Sequence, residues 1–114
     1  MTDLDACQAA RAADDKLALD TVVIDVGDVL AITDHFVITS GSNVRQVRAI
    51  VEAVKEDLAA NADRKALRTE GTDGYEWVLV DYGDFIVHVF LDTVREYYEL
   101  ERLWGDRPRV DWEP

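Results

Sequence analysis

Cysteine and basic residues are scarce in this chain of 114 residues, and each shortage removes a class of function. Cys7 is the only cysteine, so no internal disulfide can form and no Cys-rich metal site can be built, which fits a reducing cytosol. Twelve Lys and Arg stand against 24 Asp and Glu, a formal charge of −12. Such a field repels a phosphate backbone and argues against direct, sequence-specific reading of nucleic acid. No apolar run approaches the roughly 20 residues that cross a bilayer. The first residues, MTDLDACQAARAADD, are acidic and helix-forming, without the basic start and apolar centre of a signal peptide. Neither export nor a membrane is expected. Internal repeats, low-complexity segments and domain linkers are also missing.

What is present is enough apolar residue, 48%, to fold one domain around a single modest core. The acidic surface suits a basic protein partner, whose encounter it would speed, although it equally fits a surface that is merely soluble. Leu4, Cys7, Ala10, Ala13 and Leu17 recur at near-helical spacing, and Thr2 with Asp5 resembles a capping box, which predicts a first helix. Asp20 to Val26 is β-branched and apolar on both faces, as in a strand buried within a sheet, and Gly27-Asp28 ends it. His35 to Thr39 predicts a second strand. Val44, Val47, Ile50, Val51, Val54 and Leu58 then form one stripe of a second helix that Ser42 or Asn43 can cap, the latter with Gln46 as partner. A short strand is expected near Ala66 to Thr69. Residues 1–104 form the expected domain, and DRPRVDWEP after Gly105 reads as an extended or mobile tail.

The densest information lies between Gly74 and Trp104. A two-residue turn at Gly83-Asp84, with glycine at a position of positive φ, pairs Asp81 with Ile86, Leu79 with His88 and Trp77 with Phe90. Alternation then puts those six residues on one face and Val78, Val80, Val87 and Val89 on the other. The valine face is core. The mixed face carries an acid, an imidazole and two large aromatics, a composition suited to gripping a partner. A helical turn through Arg95-Glu96-Tyr97-Tyr98 follows. The resulting order, α-β-β-α-β-β-β-α, predicts an α/β fold of the α+β sandwich kind, with a mixed sheet and helices packed on it.

Three segments together resemble the ribosome silencing factor family, also called Iojap or DUF143. One runs from Thr21 to Ile50, with Thr33-Asp34, Phe36-Val37-Ile38 and Arg45-Gln46-Val47. Another comprises Glu70-Gly71, Trp77, Asp81-Tyr82-Gly83-Asp84, His88 and Phe90. The third holds Arg95, Tyr98-Glu99-Leu100-Glu101 and Leu103-Trp104. The resemblance covers roughly residues 5 to 104 in unbroken order, and His35 departs from it where tyrosine is common. It implies a nucleotidyltransferase-like topology without catalysis. It also implies binding to the large ribosomal subunit through ribosomal protein L fourteen, a basic protein, so that the small subunit cannot join and translation is damped when nutrients are scarce. For organelle relatives it implies a role in large-subunit assembly.

A nucleotide-dependent enzyme is the rival reading, because Gly41-Ser42 sits at a strand-to-helix junction able to hold phosphate. Such enzymes need alternating carboxylates on a following strand to hold metal, and no Asp-x-Asp or Asp-x-Glu strand follows. Asp81, Asp84 and His88 do not make a metal site either, since Asp84 and His88 stand about 13 Å apart along a strand. No catalytic residue, metal or cofactor is expected. His88 is read as a hydrogen-bonding group. Trp77, Tyr82, Phe90, Tyr97, Tyr98 and Trp104 would each pack a core in isolation, but their concentration beside Asp81, Arg95 and Glu101 tips at least half of them toward an interface. The expected partner-binding set is therefore Trp77, Asp81, Tyr82, His88, Phe90, Arg95, Tyr98, Glu101, Leu103 and Trp104. Phe36, Val37, Ile38 and the helix stripe are assigned to the core, and exposed aromatics make a homodimer reasonable off the ribosome.

Overall fold

A computed structural model describes residues 4–27 and 32–113, with the side chain of Glu101 left aside. The elements in order are α1 (Asp5–Asp14), β1 (Leu19–Asp25), β2 (His35–Gly41), α2 (Val44–Asn61), β3 (Arg68–Glu70), β4 (Trp77–Asp81), β5 (Phe85–Leu91), α3 (Asp92–Tyr98), a 3-10 helix (Leu100–Trp104) and β6 (Arg109–Val110). The six strands form one sheet in the order β3-β4-β5-β2-β1-β6. Only β2 and β5 run parallel, at its centre, and the remaining pairs are antiparallel. The mixed sheet with helices on it is the architecture expected.

The sheet separates two cores. On one face lie α1 and α2, where Val47, Ile50, Val51, Val54 and Leu58 meet Val23, Val37, Val78, Val80, Val87 and Val89. Ala6, Ala9, Ala10, Ala12 and Ala13 let α1 approach closely, because no side chain longer than a methyl group intervenes. On the other face a smaller core joins Ile24, Val26, Phe36, Ile38 and Phe90, covered by Val94, Leu100 and Trp104 from α3 and the 3-10 helix. Phe36, Val37 and Ile38 are buried as assigned.

Asn43 caps α2, accepting from the Gln46 backbone N–H at 2.8 Å, and the Gln46 side chain returns to Ser42 N at 2.7 Å. Gln46 Nε2 also donates to the carbonyl of Leu17 at 3.0 Å, fastening the end of α1 to the start of α2. Gly41 lets the two elements approach closely there, since a Cβ would stand 3.0 Å from Val47 N.

Several expectations change. Leu17 is 78% exposed at φ +60, past the end of α1, because the chain turns there to offer its carbonyl to Gln46. Leu4 and Val44 also lie largely outside the core, each at the first edge of its helix. The tail is not a loose extension. Val110 and Arg109 pair with Val23 and Ile24, and the Trp112 indole donates to the Thr21 carbonyl at 3.0 Å. Two ladder residues are too few to leave a periodic pattern in sequence. Thr2 of the expected capping box and Asp28 fall outside the described residues.

Candidate functional site

The β4–β5 hairpin has the expected register, with Trp77 opposite Phe90, Leu79 opposite His88 and Asp81 opposite Ile86. Gly83 carries φ +91 in the two-residue turn, closed by Tyr82 N to the Phe85 carbonyl at 3.0 Å. Asp81 stabilises this turn from the strand side. One carboxylate oxygen accepts from Gly83 N at 2.8 Å and the other faces Arg68 Nε at 3.3 Å. Its side chain is only 16% exposed, so this carboxylate is committed within the chain rather than offered to a partner.

The mixed face of the hairpin is overlaid by α3 and the 3-10 helix, and this cover decides which side chains can be reached. Phe90 is fully buried and His88 almost so. Trp77 is half-buried between them and the surface, with Phe90 at 4.7 Å and Tyr98 at 5.0 Å between ring centroids. Its indole N–H donates to His88 Nδ1 at 3.2 Å. That bond needs a neutral imidazole, and burial pushes the His88 pKa down to about 4. Phe36 meets His88 edge-on at 4.8 Å and Trp104 at 5.7 Å. His88 Nε2 and Trp104 Nε1 are buried without a hydrogen-bond partner. The result is a ring stack that is rigid beneath and open only at its rim.

At that rim, Tyr97 is 81%, Leu103 73% and Tyr98 53% exposed. Asp92, Glu96 and Glu99 are also exposed on α3 and its end, and Glu99 is paired with Arg102 at 3.1 Å. Glu99 turns the chain between α3 and the 3-10 helix at φ +46.

Of the expected partner-binding set, the structure packs Trp77 and Trp104 against one core with Tyr98 on Trp77, and leaves Tyr98 and Leu103 exposed. His88 and Phe90 lie beneath them and can only position them. Tyr82 is on the opposite face, stacked on Phe85 at 4.9 Å, because alternation along the strand puts it with Val78 and Val80. Arg95 is buried, donating to the carbonyls of Leu19 at 3.1 Å and Asp20 at 2.7 Å and to Ser40 Oγ at 3.1 Å. It clasps α3 to the ends of β1 and β2. The Glu101 side chain lies outside the described set. Tyr97 is the exposed aromatic that the sequence-based set lacks, and its three-residue spacing from the inward Val94 gave no sign of that exposure.

Ser42 N and Oγ both bond to Gln46 Oε1, so the Gly41-Ser42 junction serves the start of α2. Among the described residues no three His, Cys, Asp or Glu side chains stand close enough to hold a metal ion, and no helix is long and apolar enough to cross a membrane.

The family model described as "Ribosomal silencing factor during starvation" matches residues 2–114. A Bacillus subtilis protein named ribosomal silencing factor RsfS is 43% identical over 103 residues, covering 90% of this chain and 86% of its own. A mouse protein named for mitochondrial assembly of the ribosomal large subunit is 38% identical over 90 residues, covering 76% of this chain and 39% of its own. A crystal structure of a Chromobacterium violaceum protein superposes with a TM-score of 0.84 at 34% identity, covering 92% of this chain and 88% of that one. A Bacillus halodurans structure gives 0.76 at 38% identity, covering 90% and 92%.

Proposed function

This chain belongs to the ribosomal silencing factor family, and from that premise we propose that it binds the large ribosomal subunit through ribosomal protein L fourteen and blocks small-subunit joining. The observation that supports the reading is the exposure of Tyr97, Tyr98 and Leu103, with Tyr98 resting on the Trp77–His88–Phe90 stack. Large side chains packed in place before binding lose little entropy on docking, and the formal charge of −12 suits a Lys- and Arg-rich partner.

The mechanism is steric. The body of the domain, with extents of 34 × 32 × 26 Å, occupies space at the subunit interface that the small subunit must enter. No turnover is required, and the protein acts in the cytoplasm, where the subunits meet. Translation is thereby repressed under nutrient limitation. Off the ribosome, the same apolar patch can pair with that of a second copy.

The test is co-sedimentation with purified large subunits, followed by a joining assay with small subunits. Tyr98→Ala should weaken binding by about 2 kcal/mol, roughly 30-fold, if Tyr98 is a central anchor. Leu103→Asp should weaken it further, while Glu56→Lys on the solvated side of α2 should not. Thermal melts must show all three folded. Unchanged joining at saturating protein would sink the proposal. The mouse relative's name favours a second reading, an assembly factor for the large subunit. That reading predicts accumulation of immature large subunits in cells lacking the protein, with joining of mature subunits unaffected.

A further inference from the structure

Residues 99–106 cross the smaller core as a bridge fastened firmly at both ends and lightly between them. On one side Arg95 clasps α3 to the carbonyls of Leu19 and Asp20 and to Ser40 Oγ. On the other, Asp25 N donates to the Pro108 carbonyl at 2.9 Å and Arg107 Nε to the Asp25 carbonyl at 3.3 Å. Between these anchors the backbone bonds run along the segment itself: Arg102 N to the Glu99 carbonyl at 3.0 Å, Gly105 N to the Arg102 carbonyl at 3.3 Å and Arg107 N to the Trp104 carbonyl at 2.9 Å. The packing of Leu100 and Trp104 is what seats it on the sheet. A 3-10 helix has poorer hydrogen-bond geometry than an α-helix and gains little stability of its own. Glu99, at its start, holds φ +46, a left-handed conformation that is costly for a residue with a Cβ.

The second observation is independent of the backbone. Trp77 donates to His88 Nδ1, so the neutral imidazole carries its proton on Nε2. His88 Nε2 and Trp104 Nε1 are therefore both N–H donors, and both are buried without a hydrogen-bond partner. Their rings meet the same Phe36, at 4.8 and 5.7 Å, and an aromatic ring is a far weaker acceptor than water. Burying donors without acceptors raises the free energy of the closed arrangement, and lifting the segment returns the Trp104 N–H to water.

We propose that residues 99–106 form a hinged strap that lifts from Phe36 and His88 while the sheet, α3 and the anchor at Arg107 and Pro108 stay in place. Glu99 and Gly105 are its hinge positions. Closed, the strap presents Leu103 and hides the Trp104 N–H. Lifted, it offers that N–H and uncovers the aromatic floor. Two arrangements of one short segment thus give the chain two different surfaces just after Tyr98. The device belongs to the chain alone and stands whether or not the ribosomal reading does.

The experiment is hydrogen exchange of the full chain followed by NMR over a series of low urea concentrations, under conditions where rates report the opening equilibrium. The probe is the Trp104 indole N–H, buried when the strap is closed, and the references are the backbone amides of β2 and β5. After correction for intrinsic rates, the indole should exchange about tenfold or more faster than the slowest reference amides and respond less steeply to urea, because lifting exposes little surface. Val51→Ala, in the core on the other face, should speed the reference amides on the order of tenfold and leave the indole unchanged, since it weakens the whole fold without touching the strap. Leu100→Ala loosens the seat itself and should speed the indole by about tenfold. The urea series on the parent decides the matter even where a variant fails to fold. An indole that exchanges no faster than the sheet, that responds to urea as steeply, that accelerates with Val51→Ala in step with the references, or that ignores Leu100→Ala would each overturn the proposal.

Discussion

Gly71→Ala and Gly83→Ala make a matched pair, because both glycines have positive φ, +94 and +91, and only one of them is crowded. A side chain forced into such a backbone region costs about 1–3 kcal/mol wherever it occurs. At Gly83 the added Cβ would meet only the end of the exposed Leu67 side chain, at 3.3 Å, which can swing aside. At Gly71 it would fall 2.1 Å from the carbonyl oxygen of Trp77 and 3.1 Å from Val78 Cα, both backbone atoms of β4. Relief there requires the start of β4 to move by about an ångström, an overpacking cost of about 1–3 kcal/mol added to the shared backbone term. Gly71→Ala should therefore be less stable than Gly83→Ala by that increment, or roughly 4–12 °C in melting temperature for a chain of this size. Urea unfolding followed by circular dichroism measures the difference, and Trp77 fluorescence should shift in the Gly71 variant alone. Equal loss in the two variants would refute the reasoning, since the crowding at Gly71 would then have no energetic consequence.

Two further outcomes follow from buried groups. His88 has its folded pKa lowered to about 4 from an ordinary 6.5, so the unfolded chain binds the extra proton first and the stability tied to neutral His88 is lost as pH falls from about 6.5 toward 4. Between pH 7 and 4.5 the parent should lose about 2–3 kcal/mol more than His88→Leu does, measured by denaturant midpoints at each pH, and parallel pH profiles would show that the imidazole is not the titrating group. Trp112→Ala removes both a half-buried indole and its bond to the Thr21 carbonyl, and should cost about 2 kcal/mol with faster exchange of the β1 amides facing β6. Unchanged exchange there would mean that the last strand adds nothing to the sheet.

The hairpin register was legible because Gly83-Asp84 allows only one short turn and alternation then fixes every partner through Trp77 and Phe90. The same rule separated the valine face from the mixed face correctly, yet it could not say what covers the mixed face. Whether Phe90 is an anchor or a floor depends on α3 folding back over β5, and that return is a tertiary event with no local pattern. Arg95 misled for a related reason. An arginine beside two tyrosines suggests a surface, whereas here three oxygens from β1 and β2 draw it inward. Asp81 looked available because a carboxylate on a strand has no predictable partner, and the neighbouring strand happens to supply Arg68. The sixth strand has no local signal because its two residues follow a proline and pair with residues 85 and 87 positions earlier.

The parallel pairing at the centre of the sheet governs the speed of assembly. His35 pairs with Phe85 and Gly41 with Leu91, a constant separation of 50 residues. Closing a loop of about that length costs roughly 3–4 kcal/mol before its contacts reward it, whereas a two-residue hairpin of the β4–β5 type closes in about 1–10 μs. The hairpin can therefore flicker into existence early, but Phe36 reaches His88 and Trp104 only after the long loop has closed. Nascent or partly unfolded chains would carry the aromatic residues without their floor. The aromatic stack thus completes itself only with the slow closure of the sheet's centre, well after the hairpin that carries half of it.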